Sequence, residues 1–424
     1  MDPTHSMAHE EQKPSRLLWL AIIVMVGLGL PGVLLRLTGT QLDPIVAAIV
    51  FGVAILSAAF LLSWAAETAE MDISQGLALA VIAVIAVLPE YAVDFVLAWK
   101  AGASPEEAQK GLAIANMTGG NRLLIGLGWP IVFALFFFRT RLKELIVNRQ
   151  RSLELAFLSV ATLYVVLIPL RHSVTIIDSI VLVSLFVIYL FFTSRVESEE
   201  VELVGPAKVM GALADNRRRP LVILVLAFSA AVIFTSAEPF AEALVHIGER
   251  FGVSEFLLIQ WLAPLASESP EVLVAGLLAW RGRAAAGMGV LISSKVNQWT
   301  LLIGTLPIAF LLSAGEFSFT GGLPLDNRQR EEIFLTAAQS AFAIAVFVNL
   351  RMGRREAITL FLLFATQLFI TSEQVRLYYA AAYSVLCLVI LIANRSDVAT
   401  TARAAWEVMR GRSPDAEHEG SGSG

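Results

Sequence analysis

The chain contains twelve stretches of about 20 mostly apolar residues, each long enough to cross the hydrocarbon core of a bilayer as a helix. They fall at 17–37, 45–66, 74–99, 111–138, 152–170, 174–193, 220–245, 255–280, 285–313, 332–350, 356–372 and 375–394. In lipid a backbone must satisfy its own polar groups, so stretches of this length are read as helices. The predicted fold class is an all-α polytopic membrane protein with about 12 transmembrane helices. Composition agrees: of 424 residues, 57% are hydrophobic and 16% charged, against about 25% charged in a soluble domain. That balance excludes disorder, a coiled coil and a nucleic-acid-binding domain, and leaves too little polar surface for an ordinary soluble enzyme. The single cysteine, Cys387, lies in an apolar run and supports neither a disulfide framework nor a Cys-based metal site. The N-terminal residues are polar, and the apolar run after them is too long for a signal-peptide core, so it is read as a retained first span.

Twelve crossings put both termini on one face. Twenty-one Lys and Arg fall on that face and eight on the other, which predicts cytoplasmic termini, with the plasma (inner) membrane as the expected location. The longest polar connection, 194–219, is acidic first (Glu197, Glu199, Glu200, Glu202) and basic later (Arg217 to Arg219). It is read as a solvated cytoplasmic linker between a first membrane half, 17–193, and a second, 220–394. Tails at 1–16 and 395–424 complete the chain, and Gly420 to Gly424 has the look of an appended linker. Glu67, Glu70 and Asp72, near a span end, are read as solvated loop residues in preference to an outer-side cation vestibule.

The two halves share a pattern. Leu88-Pro89-Glu90 is followed by Leu97-Ala98-Trp99-Lys100, and Ser269-Pro270-Glu271 by Leu278-Ala279-Trp280-Arg281 at the same spacing. In the next span Leu123 to Gly126 and Pro130 match Leu301 to Gly304 and Pro307, with one residue of slippage. The two Pro-Glu spans are the third and the eighth, so they cross in opposite directions: an inverted-topology repeat, the pattern of secondary transporters that bind ions near the midplane. Each proline removes a backbone donor, freeing the carbonyls of Ile85 and Ala266 as further cation ligands.

The charges inside the spans carry the functional expectation. Glu90 and Asp94 are four apart and Glu268 and Glu271 three apart, so each pair shares a helix face. A mid-membrane charge costs about 2.5–3.5 kcal/mol, so four need pairing, protons or a metal. Arg122 and Lys295, the only Lys or Arg in predicted spans away from their ends, are read as charge-compensating. The remaining formal −2 suits one divalent cation, two monovalent ones, or protons. Asn116, Asn121, Ser267, Ser294, Asn297 and Gln298 complete the expected ion-binding set with oxygen donors fit for hard cations. Thr118, Ser293 and Thr300 are read as packing residues, and Gly119 and Gly120 as sites of close helix contact.

These motifs resemble the two alpha-repeats of the cation/Ca²⁺ exchanger superfamily, over about 85–130 and 266–307. The resemblance implies a core of five plus five helices, here with one extra helix at each end. It implies antiport by alternating access, with Glu90 and Glu271 as the central metal ligands. The chain departs from the family pattern in several places. Ala86 and Val87 replace Thr-Ser, and Glu268 replaces a hydroxyl beside Ser267. Gly120 replaces a Ser before the matching Asn121, and Leu124 replaces a polar ligand. Gln298, Trp299 and Leu302 stand at the equivalent positions of the second repeat. The expected activity is Na⁺- or H⁺-driven Ca²⁺ exchange. The alternative is a Na⁺/H⁺ antiporter with Lys295 and Arg122 as fixed internal cations. No enzyme motif is present, no cofactor is expected, and the expected partners are small inorganic cations and membrane lipid, without nucleic acid or an obligatory protein.

Overall fold

The computed structural model describes residues 16–69, 71–72, 88–195, 203–315, 318–319, 321–368, 370 and 372–411. The first helices are α1 (Arg16–Thr38), α2 (Pro44–Ala69) and α3 (Leu88–Ala103). The first part of the third predicted span, with Ile85, Ala86 and Val87, lies outside the described residues, as do Glu70 and the acidic run Glu197 to Glu202. After a short helix, Pro105–Lys110, α4 runs as Leu112–Leu123, a π turn at Leu124–Gly128, and Trp129–Thr140. Gly111 makes the corner before α4 at φ 65, with the Gln329 side chain packed against it where a Cβ would stand.

The next helices are α5 (Arg149–Leu170, ending in a 3₁₀ turn) and α6 (Ile176–Thr193), the latter opened by a Thr175/Asp178 capping box. The second half begins with α7 (Asp215–Phe251) and α8 (Glu255–Trp280). Then α9 repeats the construction of α4: Ala284–Asn297, a π turn at Gln298–Leu302, and Ile303–Ala314. Helices α10 (Asn327–Val346), α11 (Arg354–Gln367), α12 (Glu373–Ala393) and α13 (Arg395–Met409) complete the order.

Among the described residues, nine helices are long and apolar enough to cross a membrane. The other three predicted spans coincide with α3, α10 and α11. Of these α10 begins with the polar run Asn327 to Glu332, and α11 has only 14 residues. Position in the bundle follows the apolar surface. Only 17% of the most apolar stretch of α1 is buried, against 67% for α9. The outer helices thus present apolar surface outward, and those carrying the repeat motifs sit inside.

The central contacts join the two halves. Gly52 of α2 meets Phe240 of α7, Gly102 of α3 meets the Phe310 carbonyl of α9, and Gly119 of α4 meets the Gln260 carbonyl of α8. The last follows from sequence: Pro264 removes the N–H that Gln260's carbonyl would accept, and a residue without Cβ lies against it.

Two features depart from a purely helical fold. Strand β1 (Glu144–Ile146) pairs antiparallel with β4 (Arg351–Gly353), and β2 (Ser173–Thr175) with β3 (Gly322–Pro324). In each ribbon the central pair, Leu145↔Met352 or Val174↔Leu323, is buried. Alternating side chains let three residues anchor the apolar one and leave flanking backbone for pairing.

Two segments predicted to be solvated are packed instead. In the linker, Val204, Ala207, Val209 and Met210 are buried, and Val204 N–H donates to Glu67 Oε2 at 3.1 Å. In the C-terminal tail, α13 buries Ala404, Ala405 and Val408, and Thr401 Oγ1 donates to the Val348 carbonyl at 2.6 Å. The solvated-loop reading of Asp72 is also corrected, since only 11% of its side chain is exposed. Asp72 pairs with Arg218 at 2.7 Å and Arg219 at 2.9 Å, so it lies with the basic cluster that the charge rule assigns to the cytoplasm. These guanidinium groups hold the Asp72 carboxyl down at about 2.

Candidate cation site

Helices α3 and α8 bring the four carboxylates together. Glu90, Asp94 and Glu268 are buried and Glu271 is half-buried. One oxygen each of Glu90, Glu268 and Glu271 lies within 4.8 Å of the others. Oxygens on opposite sides of a Ca²⁺ ion stand about 5 Å apart, twice the usual 2.3–2.6 Å bond. The three can therefore touch one ion. Gly120 makes room for Glu268: a Cβ there would stand 2.7 Å from Glu268 Oε1.

The amides around them divide into two groups. Asn116 Nδ2 donates to Asp94 Oδ1 at 3.0 Å, and Gln298 Nε2 to Glu268 Oε1 at 2.6 Å. These amides orient the carboxylates and keep their own oxygens open. Among the described residues, both Glu90 oxygens, Asp94 Oδ2, Asn116 Oδ1, Glu268 Oε2, Glu271 Oε2 and Gln298 Oε1 have no hydrogen-bond partner. A buried polar atom left so costs about 1–3 kcal/mol, and here all are oxygens of the kind a hard cation takes. Glu90, Asp94, Asn116, Glu268 and Gln298 line one cavity.

The other expected donors are engaged, except the Ser294 hydroxyl, which among the described residues is buried without a hydrogen-bond partner. Asn297 Oδ1 accepts from the Tyr91 hydroxyl at 3.0 Å. Ser267 lines the same cavity, with its hydroxyl 3.4 Å from the Ala263 and Pro264 carbonyls. Ser294 neighbours Glu271. Asn121 Nδ2 donates to the Met117 carbonyl at 2.8 Å, and Asn121 Oδ1 accepts from Lys295 Nζ at 2.6 Å. Thr118 and Thr300 bond back to their own helices, as packing residues do. The π turn of α9 begins at Gln298, one residue beyond Asn297. Such turns often mark functional stretches of a helix.

The two internal cations separate. Lys295 stays at the site. Arg122 has its ion pair with Glu332 of α10, at 2.6 Å with both side chains 2% exposed. Its guanidinium also reaches Gln367 at 3.5 Å and lies 5.0 Å from the Trp261 ring centre. Among the described residues no ion pair joins it to the four carboxylates, and its charge is met by Glu332 instead. Glu332 escaped notice because it opens a predicted span in a run of loop-like charges. The signal was Arg122 itself, an intramembrane cation that requires a partner.

A sequence profile described as "Sodium/calcium exchanger protein" matches residues 44–195 and 221–373. The chain belongs to the sodium/calcium exchanger family. The match falls in two blocks separated by residues 196–220. The chain is 42% identical to the solved structure of the H⁺/Ca²⁺ exchanger CAX, covering 93% of this chain and 99% of that one with a TM-score of 0.88. Native YfkE, at 16% identity, covers 87% and 100% with a TM-score of 0.59. A structure of the sodium-calcium exchanger NCX_Mj, at 19%, covers 82% and 99% with a TM-score of 0.50. These last two share the fold. No curated protein sequence matches the chain. The exchanger family member described here is thus a nearly all-helical, multi-pass membrane protein and a cation/Ca²⁺ antiporter.

Proposed function

We propose that this exchanger moves Ca²⁺ against protons by alternating access, with Ca²⁺ held between Glu90, Glu268 and Glu271 and completed by Asp94, Asn116 and Gln298. The observation that carries the reading is the set of buried oxygens without partners around three carboxylates close enough to share one ion. Seven such oxygens fit the 6–8 that Ca²⁺ takes. Protons arriving on the same carboxylates would replace the charge that Ca²⁺ takes away. The 42% identity to an H⁺/Ca²⁺ exchanger favours protons as the counter-cargo.

The proposed layout is twelve spans, with an inverted repeat of five plus five and one extra helix at each end. Both termini are proposed to lie in the cytoplasm of a plasma (inner) membrane. Long-range loop contacts support the crossing count. Ribbon β1–β4 joins loops that twelve crossings put on the cytoplasmic face, as does the Asp72–Arg218 pair. Ribbon β2–β3 and the Arg250–Asp43 pair join loops on the other face.

The test is Ca²⁺ flux in proteoliposomes under an imposed pH gradient. Proton-driven uptake of radiolabelled Ca²⁺ is expected, and its loss in both Glu90→Gln and Glu271→Gln while each still inserts. Gradient-driven Na⁺ movement without Ca²⁺ movement would refute the reading and establish a Na⁺/H⁺ antiporter instead.

A further inference from the structure

Among the described residues, Lys295 is the one buried cation left at the site, and its partners are unusual for a charge-compensating group. It is 0% exposed. Its Nζ lies 2.6 Å from Asn121 Oδ1, 3.4 Å from the Asn121 carbonyl oxygen, and 4.2 Å from the Trp299 ring centre. Among the described residues no carboxylate forms an ion pair with it, and its hydrogen bonds go to Asn121. An amide oxygen, a backbone carbonyl and an aromatic face are what a monovalent cation takes when carboxylates are spoken for. Asn121 has no second orientation to offer, because its Nδ2 already donates to the Met117 carbonyl.

From this we infer that Lys295 is a tethered monovalent cation that permanently holds the Asn121 subsite and so makes the exchanger refuse sodium. The inference rests on the cation-exchange reading above and adds the residue that sets its counter-ion. With the ammonium in place, the four carboxylates carry a formal −3, which one Ca²⁺ and a proton satisfy without a further metal ion. Without it, the two Asn121 oxygens lose their partner and the site gains one negative charge. Both changes favour a small monovalent metal ion at that point.

The experiment compares the wild type, Lys295→Ala and Lys295→Arg in proteoliposomes, with sodium or choline on one side of the membrane. Wild-type Ca²⁺ flux should be indifferent to sodium. Lys295→Ala should become sensitive to it, with Na⁺ competing at least about tenfold more strongly, the scale set by one freed charge-assisted hydrogen bond. Lys295→Arg, which keeps the charge, should stay indifferent. The second readout is thermal unfolding of the detergent-purified proteins, in which Na⁺ against choline should stabilise Lys295→Ala and leave the wild type unmoved. Lys295→Gln serves in the same assay if the alanine variant does not fold. A folded variant lacking the ammonium that neither responds to nor is stabilised by sodium overturns the inference. So does a wild type already driven by a sodium gradient. Absence of proton-driven Ca²⁺ flux in the wild type counts against the exchange reading instead, and the sodium stabilisation assay still decides the role of Lys295.

Discussion

The Arg122–Glu332 pair permits a test of how charge is partitioned inside the bundle. Both side chains are 2% exposed and their atoms are 2.6 Å apart. Removing one member of such a pair leaves a buried charge uncompensated and costs about 3–5 kcal/mol. Arg122→Met should fall at the lower end, because Glu332 keeps Arg376 within 3.7 Å. Glu332→Gln should fall at the upper end, because it takes a carboxylate charge from two guanidinium groups at once, Arg122 at 2.6 Å and Arg376 at 3.7 Å. The double variant Arg122→Met/Glu332→Gln removes both charges together and should cost about 2–3 kcal/mol less than the sum of the singles. Equilibrium unfolding in mixed micelles, followed by tryptophan fluorescence, measures all three. Ca²⁺ transport supplies the second axis. Because Arg122 is paired away from the carboxylates, the double variant should keep its KM for Ca²⁺ within about threefold of wild type, less than 1 kcal/mol. An Arg122→Met protein of nearly normal stability, with KM shifted by an order of magnitude, would show that its charge belongs to the cation site and would refute the partition.

Two further predictions concern geometry and pH. Gly120→Ala should fold but raise the KM for Ca²⁺ about tenfold, since its Cβ would stand 2.7 Å from Glu268 Oε1 and push a flexible carboxylate aside. Gly119→Ala meets the fixed Gln260 backbone carbonyl instead and should reduce the monodisperse yield on size exclusion. At the proposed cytoplasmic end, Asp72 has its folded pKa depressed to about 2 by Arg218 and Arg219. Its contribution is therefore complete above the ordinary carboxyl value of about 3.9 and is lost as pH falls through about 2. Asp72→Asn should cost about 1–2 kcal/mol at pH 7, allowing for the solvent around Arg219. That difference should vanish near pH 2 in the same unfolding assay.

Much of the site was legible because its residues are expensive where they stand. Glu90, Asp94, Glu268 and Glu271 interrupt apolar runs, and the repeated Pro-Glu pointed to their meeting before any coordinates did. The interruption of a long apolar run is a strong signal, since lipid allows few reasons for it. Residues that act through partners were harder to read. Asn121 has the chemistry of a cation ligand, and only its 2.6 Å contact shows that an ammonium already occupies its oxygen. Glu332 lies at a helix end among charges that resemble a loop. The ribbons are three residues long, too short for any periodicity. Helix α13 and the packed part of the linker bury only a few small or aliphatic residues each, so their sequences read as polar tails. In these places a tertiary partner decides the outcome, and a linear pattern cannot name it.

The cross-half contacts have a mechanical consequence. Each ribbon takes one strand from each half, and α2, α3 and α4 pack most extensively against α7, α9 and α8 respectively. Neither half can swing away as a unit without opening backbone pairs on both faces and parting three glycine seams. The unit of repetition and the unit of motion are therefore different partitions of this molecule. A cut through the linker would separate the chain into its two copies of one pattern, yet it would pass through no hinge.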